Sequence, residues 1–383
     1  MSDSSISATL RDQTLSLLAS GEATSRAELV EALQVAPSTV TGLVRRLLAE
    51  GMILEEGVGR STGGRRPRIL RLREPEGVLA VAELGARHAR VGLCTPDGRL
   101  LTTEEVAIDI AAGPGEVFDT VEAALGRILA ASAPGQALLG VGAALPGPVD
   151  HLRGRLVGPA RMPGWSGVDA RTELGQRFEA PVVVENDARA AAIGEYVIRG
   201  RDSGDMIYVK AGTGIGGCLV SAGQVYRGGR GLSGDVTHVR VADSGGERHC
   251  SCGSRGCLET VASGAALAAR LVEQGQPTTT TQDVITAVVN AEPAAVTLVR
   301  RAGGLLGVAL SGLVNFLNPD AVVIGGALSS LDVYVAAARG MLYERCLPSM
   351  TQSLAIEASA AGPDAALVGL GHLVRATADT RTA

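Results

Sequence analysis

The stretch Cys250-Ser251-Cys252-Gly253-Ser254-Arg255-Gly256-Cys257-Leu258-Glu259 is the most distinctive segment of this 383-residue chain. It holds three of the six cysteines, and the other three are scattered. Met1 to Leu10 contain no basic region followed by an apolar core, so we expect no signal peptide and a reducing cytoplasm. There, a tight cysteine cluster favours a metal site over a disulfide framework. Three thiolates suit Zn²⁺, and a histidine would complete the tetrahedron. The alternative is a loop with three free thiols.

The overall composition predicts a folded chain with an aliphatic core. Hydrophobic residues make up 46% of the chain and aromatic residues 2%, and the length predicts about two to three domains. The net charge of −5 argues against coating nucleic acid along the whole chain, although one domain can still carry a basic patch. The basic residues are almost all arginine, with Lys210 as the one lysine. The apolar stretch 302–319 contains four glycines and favours a buried helix over a membrane span.

Beyond residue 77, strand-like and helical segments alternate, which predicts an α/β fold. Residues 78–84 and 138–144 are typical of buried strands, and residues 117–131 of a helix. A second glycine-rich turn after a strand, near residue 212, suggests that the lobe is duplicated.

The first 75 residues have a different, helical pattern. Ser25 and Glu28 fit a capping box at the start of one helix. Pro37 suits the first turn of the next helix, and Gly51 suits its end. The apolar residues of this second helix recur with helical spacing: Val40, Leu43, Val44, Leu47 and Leu48. Two short helices joined by a tight turn, with a third helix before them, predict a helix-turn-helix.

The residues after that turn have the character of a DNA-contacting surface. Five polar or basic residues are expected on the exposed face of the second helix: Ser38, Thr39, Thr41, Arg45 and Arg46. Strand-like runs at 52–56 and 69–72 predict a β-hairpin wing, whose basic tip includes Arg60, Arg65 and Arg66. Residues 58–73 contain six arginines and no acid. We therefore expect residues 1–75 to form a winged helix-turn-helix DNA-binding domain. The alternative is a helical docking domain with a solvated charged loop.

Several motifs together resemble the ROK family (repressors, open reading frames and kinases). The motifs are Ala144-Leu145-Pro146-Gly147-Pro148-Val149-Asp150, Pro163-Gly164-Trp165, Glu185-Asn186-Asp187-Ala188, Ala211-Gly212-Thr213-Gly214-Ile215-Gly216-Gly217, the cysteine segment and Val323-Ile324-Gly325-Gly326. The resemblance covers about residues 77 to 376. It implies a two-lobed, actin-like or hexokinase-type ATPase fold, with residues 76–383 forming an effector and oligomerisation domain. Residues 61–67 also resemble the wing of bacterial winged-helix repressors attached to sugar-binding domains.

The resemblance implies a position for the fourth metal ligand. In ROK proteins a histidine lies in a Gly-Glu-x-x-His stretch, which here reads Gly234-Asp235-Val236-Thr237-His238. The implied zinc ligands are His238, Cys250, Cys252 and Cys257. His249 is the other candidate, but it is adjacent to Cys250 and would strain a chelate with it. Because four protein ligands leave no open position for water, we expect a structural role for the metal.

The resemblance also implies a sugar site. The residues expected to contact the sugar are Asn186, Asp187, His238 and Glu259. Asp235 stands where the family usually has Glu, and Arg161 is the nearest equivalent of an Asn that normally contacts the sugar. These two changes suggest an altered ligand that carries an acidic group. Asp187 also suits the N-cap of a helix that begins at Ala188, and the two roles are compatible.

The nucleotide motifs are only partly present. ROK kinases use the equivalent of Asp187 as general base, and the second phosphate turn, residues 212–217, is intact. The first should read Asp-x-Gly-Gly-Thr-Lys but reads Glu83-Leu84-Gly85-Ala86-Arg87-His88. No lysine is expected at this first turn. Because phosphoryl transfer depends on positioning and charge neutralisation, we expect no efficient kinase, with Asp187 a vestigial base.

Together these features predict a DNA-binding transcriptional regulator, a repressor of carbohydrate-related genes controlled by a sugar or sugar-derived ligand. As a homodimer or homotetramer it would bind a palindromic double-stranded operator. Two alternatives stay open. One is an active ATP-dependent sugar kinase with a DNA-binding module, and the other is a repressor controlled by a partner protein.

Overall fold

The structure is a computed structural model that describes residues 3–58, 68–73, 76–158, 162–200, 204–241 and 248–382. The chain divides into two compact units. One is formed by Met1–Glu76 with Ala378–Ala383, and the other by Gly77–Thr377.

The N-terminal part of the first unit has the element order expected of a winged helix. It contains α1 (Asp3–Ser20), α2 (Arg26–Leu33), α3 (Pro37–Ala49), β1 (Ile53–Val58) and β2 (Arg68–Leu72). The two strands pair antiparallel, as the sequence predicts. The predicted wing tip, with Arg60, Arg65 and Arg66, lies outside the described residues.

The ends of α2 and α3 follow the local sequence closely. The Ser25 hydroxyl accepts a hydrogen bond from the Glu28 N–H at 3.3 Å, which is the predicted cap. The Glu28 carboxylate differs from the predicted box, because at 2.6 Å it accepts from the N–H of Thr24, one residue further back than expected. This bond lowers the pKa of Glu28. Pro37 is the first residue of α3, and Gly51 follows that helix with φ +71°.

The core of the first unit is built from the predicted apolar stripe. The fully buried members from α2, α3 and the hairpin are Leu29, Val40, Leu43, Val44, Leu47, Ile53 and Leu70. Leu48, which the stripe included, is only half-buried. Burial of the stripe turns the polar face of α3 outward.

The second unit begins with a lobe built on a five-stranded sheet. Its strands are β3 (Val78–Leu84), β4 (His88–Cys94), β5 (Leu100–Ala107), β6 (Leu138–Leu145) and β9 (Val182–Asn186), with a separate hairpin of β7 (Val149–Asp150) and β8 (Arg155–Leu156). Its helices are α4 (Pro114–Ser132), α5 (Ala170–Phe178) and α6 (Asp187–Arg199). Trp165 is fully buried in this lobe. Its indole N–H donates to the Ile110 carbonyl at 2.8 Å, and its ring meets the Phe118 ring edge-on at 5.3 Å.

The second lobe repeats this plan. Its strands are β10 (Met206–Ala211), β11 (Ile215–Ser221), β12 (Gln224–Val225), β13 (Ala321–Gly325) and β14 (Ala355–Ala358). Its helices are α7 (Glu259–Ala262), α8 (Gly264–Glu273), α9 (Thr281–Val289), α10 (Pro293–Leu317), α11 (Asp332–Arg345), α12 (Pro348–Thr351) and α13 (Ala365–Thr382). The strand orders are β5-β4-β3-β6-β9 and β12-β11-β10-β13-β14. In each sheet the first three strands in sequence pair antiparallel and the last two join in parallel. This symmetry confirms the predicted duplication.

Helices α6 and α13 join the two lobes. One hydrophobic cluster contains residues of both sheets, such as Val81 and Tyr208, together with residues of these two helices. The helices approach so closely that a Cβ at Gly194 or Gly369 would overlap the backbone of the other helix. The middle of α6 is therefore held against α13.

Helix α10 is the apolar segment that the sequence assigned to the interior. By length and composition it could cross a membrane. Its face containing Gly303 and Gly307 packs directly against the backbone of α11 at Tyr334 and Ala338, and Leu306 and Leu310 of the same helix are fully buried. These contacts make α10 a core helix of the second lobe.

Candidate functional site

The exposed face of α3 carries every residue predicted there as a DNA contact. Ser38, Thr39, Thr41, Arg45 and Arg46 are all exposed. The Thr41 hydroxyl donates to the Pro37 carbonyl at 2.8 Å. This helix can therefore present a small polar surface followed by two arginines to a groove.

Four soft or imidazole ligands converge at the cysteine loop. The ligand atoms of His238, Cys250, Cys252 and Cys257 all lie within 4.8 Å of one another. His238 Nδ1 is 3.5 Å from Cys250 Sγ, and Cys252 Sγ is 3.7 Å from Cys257 Sγ. This donor set, three thiols with one imidazole, fits tetrahedral Zn²⁺. His249 is not part of the cluster and instead bridges to Arg255.

Short turns of the cysteine loop bring the thiols together. The Cys250 N–H donates to the Ser254 carbonyl at 2.8 Å, and the Gly253 N–H donates back to the Cys250 carbonyl at 3.0 Å. A hydrogen bond from the Ser254 backbone N–H lowers the pKa of the exposed Cys252 thiol to about 7. Burial raises the pKa of Cys257 to about 12. A metal ion would favour the thiolate of both residues.

Strand β11 is contacted by three of the segments that carry the predicted sugar residues. A Cβ at Gly216 would lie 2.8 Å from the Ala188 side chain, so this strand touches the start of α6. Gly217 packs on the backbone of Gly234, next to Asp235. The Glu259 carboxylate accepts from the Ile215 N–H at 3.1 Å and is buried. The two glycines thus allow three separate segments to approach one strand.

Asn186, and not Asp187, is the N-cap of α6. The Asn186 side-chain oxygen accepts from the Arg189 N–H at 3.1 Å, and Asp187 is the first residue of the helix. The prediction that Asp187 is the cap is therefore wrong, because the helix begins at Asp187, one residue earlier than expected. The Asn186 amide also donates to the Gly147 carbonyl and to Asp187 Oδ1, both at 3.0 Å. The side chain of Asp187 is thus free of capping and points into the site.

The only lysine of the chain enters this site from β10. Lys210 Nζ donates to Asp187 Oδ2 at 2.7 Å and to the carboxylate of Glu83. Glu83 is the first residue of the degenerate phosphate motif, so the expectation that no lysine reaches that motif is wrong. The lysine comes from the second lobe, 127 residues away in sequence. No local pattern could have placed it there.

The turn after Glu83 is a closed hairpin between β3 and β4. The Gly85 N–H donates to the His88 carbonyl at 2.8 Å. A Cβ at Gly85 would lie 3.3 Å from the His88 ring, so the imidazole packs over this glycine. In the first phosphate motif, residues 83–88, the space above Gly85 is thus occupied by the His88 side chain of the same motif.

A buried ion-pair network borders the same site, and the sequence did not predict it. Glu185 and Arg189 are 1% and 4% exposed. The Arg189 guanidinium bonds to Glu185 and to the carbonyls of Gly231 and Ser233, the latter at 3.2 Å. Arg227 pairs with the same carboxylate. The network connects α6 to the loop that leads to Asp235 and His238. Arg161, the other predicted sugar contact, lies outside the described residues.

Comparison with known proteins identifies the family. The profile described as the ROK family matches residues 79–377. The chain belongs to the ROK family. This ROK protein is 30% identical over 366 residues to the putative xylose repressor of Caldicellulosiruptor sp. (strain Rt8B.4), which covers 91% of each chain.

Solved structures of ROK proteins have the same fold. A ROK family transcriptional regulator, described as a homologue of the Escherichia coli MLC protein, superposes with a TM-score of 0.77 at 23% identity and covers 98% of this chain and 97% of that one. A ROK family glucokinase from Streptomyces griseus, in complex with glucose and AMPPNP, superposes with a TM-score of 0.67 at 26% identity. It covers 78% of this ROK protein and 100% of the kinase chain. These likenesses confirm the predicted two-lobed fold.

Proposed function

We propose that this ROK protein is a transcriptional repressor that acts in the cytoplasm and is controlled by a sugar. Residues 1–75 form the DNA-binding domain, and residues 76–383 form the effector and oligomerisation domain. Binding of the sugar changes the affinity for the operator because the two ligands favour different conformations. The relative named a xylose repressor supports a pentose or related sugar as the first ligand to test.

The observation that carries the proposal is the division of α3 into two faces. Its apolar residues are buried, and its five predicted contact residues are exposed. A docking helix would show an apolar exposed face, whereas this face is polar and basic. Arg60, Arg65 and Arg66 of the wing would add phosphate contacts.

The sugar site is proposed to use residues around β11: Asn186, Asp187, Asp235, His238 and Glu259. Carboxylates and amides of this kind pair with sugar hydroxyls. Arg161 would face an acidic group if the ligand carries one. The four-ligand cluster would hold Zn²⁺, which supplies a cross-link between the His238 segment and the cysteine loop. With Nδ1 directed at the cluster, the other ring nitrogen of His238 is left for a hydroxyl.

Mapping of the DNA bound in cells tests the proposal directly. We expect discrete palindromic sites near carbohydrate genes. The affinity of the purified protein for these sites should fall or rise when the sugar of that pathway is added. DNA binding that is uniform across the genome would overturn the repressor assignment. Specific binding that no sugar alters would favour control by a partner protein.

Sugar phosphorylation is the second candidate function, because the chain is similar to a glucokinase and retains Asp187. A coupled assay for ADP, run over a panel of hexoses, pentoses and N-acetylhexosamines, distinguishes the two functions. We expect no turnover. Turnover that disappears in Asp187→Asn would make the protein a kinase with a DNA-binding domain.

A further inference from the structure

Lys210 lies between two acids at the junction of the lobes. Glu83 belongs to β3 of the first lobe, Asp187 begins α6, and Lys210 belongs to β10 of the second lobe. The side chains of Lys210, Glu83 and Asp187 are 21%, 12% and 17% exposed. Such partly buried charges are screened much less than a surface ion pair.

Lys210 is flanked by a glycine on each neighbouring strand of its sheet. In β10, Lys210 pairs directly with Gly216 of β11 on one side and with Gly325 of β13 on the other. Directly paired residues share a face of a sheet. Lys210 therefore extends between two positions without side chains toward Glu83 and Asp187.

The ammonium is also held in its charged form. Burial alone would lower the pKa of Lys210, but Asp187 and Glu83 outweigh it and raise that pKa well above its usual value. The charged form of the lysine is therefore favoured at neutral pH.

We propose that Lys210 is a built-in counter-ion that occupies the position of a divalent cation between Glu83 and Asp187. The lobes are thereby joined without metal or nucleotide. The inference rests on the proposed function, because it explains how a kinase-like cleft binds a ligand without transferring phosphate. Two acids that reach the same ammonium would otherwise attract a divalent cation, since hard cations take carboxylate oxygens. With an ammonium bonded to both, such a cation meets a like charge and loses its ligands.

Binding of Mn²⁺ alone to zinc-loaded protein, followed by electron paramagnetic resonance, tests this inference. We expect Lys210→Met to bind one more Mn²⁺ per chain than the wild-type protein. The affinity for Mn²⁺ between Glu83 and Asp187 should be at least tenfold higher in the variant than in the wild-type protein. Lys210→Arg keeps the charge and should gain no site. The double variant Lys210→Met with Glu83→Gln should lose the added site again. Equal Mn²⁺ binding by the wild-type protein and Lys210→Met would overturn the inference.

The wild-type protein offers a second measurement if Lys210→Met does not fold. Because the chain has one lysine, labelling with ¹⁵N-lysine gives a single Nζ resonance. We expect stoichiometric Mn²⁺ to leave this resonance sharp. Strong paramagnetic broadening would show a cation beside the ammonium and would refute the proposal. Operator binding is measured on the same samples, so failure of the repressor assignment is distinguishable from failure of the cation result.

Discussion

Glu195 is the strongest test of how α6 is anchored. Its side chain is fully buried, at 0% exposure. Four donors reach its two oxygens: Ser359 Oγ at 2.6 Å, the Ala361 N–H at 2.9 Å, the Ala360 N–H at 3.0 Å and Arg199 Nε at 2.7 Å. In Glu195→Gln one oxygen is replaced by an NH₂ group that faces two donors. The variant therefore loses two charge-assisted bonds and leaves their donors unpaired.

The size of the effect follows from those bonds. Hydrogen bonds to a charged group contribute about 1.5–3 kcal/mol each, and breaking a buried ion pair costs about 3–5 kcal/mol. We expect Glu195→Gln to lower the free energy of unfolding by about 3–5 kcal/mol. For a unit of this size that is roughly 6–10 °C in Tm, at about 2 °C per kcal/mol. Glu357→Gln is the matched control, because Glu357 pairs with the same Arg199 at 2.9 Å but is 51% exposed. It should cost at most about 1 kcal/mol.

Differential scanning calorimetry over a range of pH checks the assignment. Burial tends to raise the pKa of Glu195, but the bonds from Ser359, Ala361, Arg199 and Ala360 outweigh it and lower the pKa. A lowered folded pKa contributes stability above the unfolded value, about 4.3, and that stability is lost as pH falls through the folded value. The gap between wild type and Glu195→Gln should be full at neutral pH and should narrow in acid below about pH 4. A variant that melts within about 2 °C of wild type at neutral pH would refute the reasoning.

Two further predictions concern the DNA and metal sites. Arg45→Ala with Arg46→Ala should weaken operator binding and reduce the slope of log K against log salt concentration by about 0.9 for each lost phosphate contact. Fluorescence anisotropy at several salt concentrations measures both quantities. Arg127, which is exposed in another part of the chain, gives the control Arg127→Ala, which should change neither quantity. Cys252→Ser should lower bound zinc from one ion per chain to none and reduce Tm, measured by elemental analysis and calorimetry, whereas Cys346→Ser should retain the metal. Full zinc in Cys252→Ser would exclude this cluster as the site.

The sequence predicted what depends on local patterns. The apolar stripe of α3 sets its buried face, and Pro37 and Gly51 set its ends. The cysteine spacing with the resemblance was sufficient to choose His238 over His249, and the structure places His238 in the cluster. Each of these inferences uses residues a few positions apart or a motif of known order.

Contacts between distant segments could not be predicted in the same way. Lys210 reaches Glu83 only because two sheets meet, and Arg189 reaches the carbonyl of Ser233 across the same junction. A weak signal was present for Lys210, since it is the only lysine in a chain that otherwise uses arginine. Its compact ammonium donates to both carboxylates at once.

Helix α6 connects all these observations, and its charges explain how a ligand could act on more than one segment. Asn186 and Asp187 begin it in the proposed sugar site. Within the same helix, Arg189 holds the loop before Asp235, and Glu195 holds the segment that follows β14. Since a packed helix moves as a rigid body, a ligand that shifts its N-terminus must also disturb both attachments or break them. Breaking either buried pair costs about 3–5 kcal/mol. This is a large part of the binding free energy of a ligand with micromolar affinity, which is about 8 kcal/mol. Ligand binding should therefore move the attached segments together with α6, and hydrogen exchange at 231–236 and 359–361 should change together when the sugar binds.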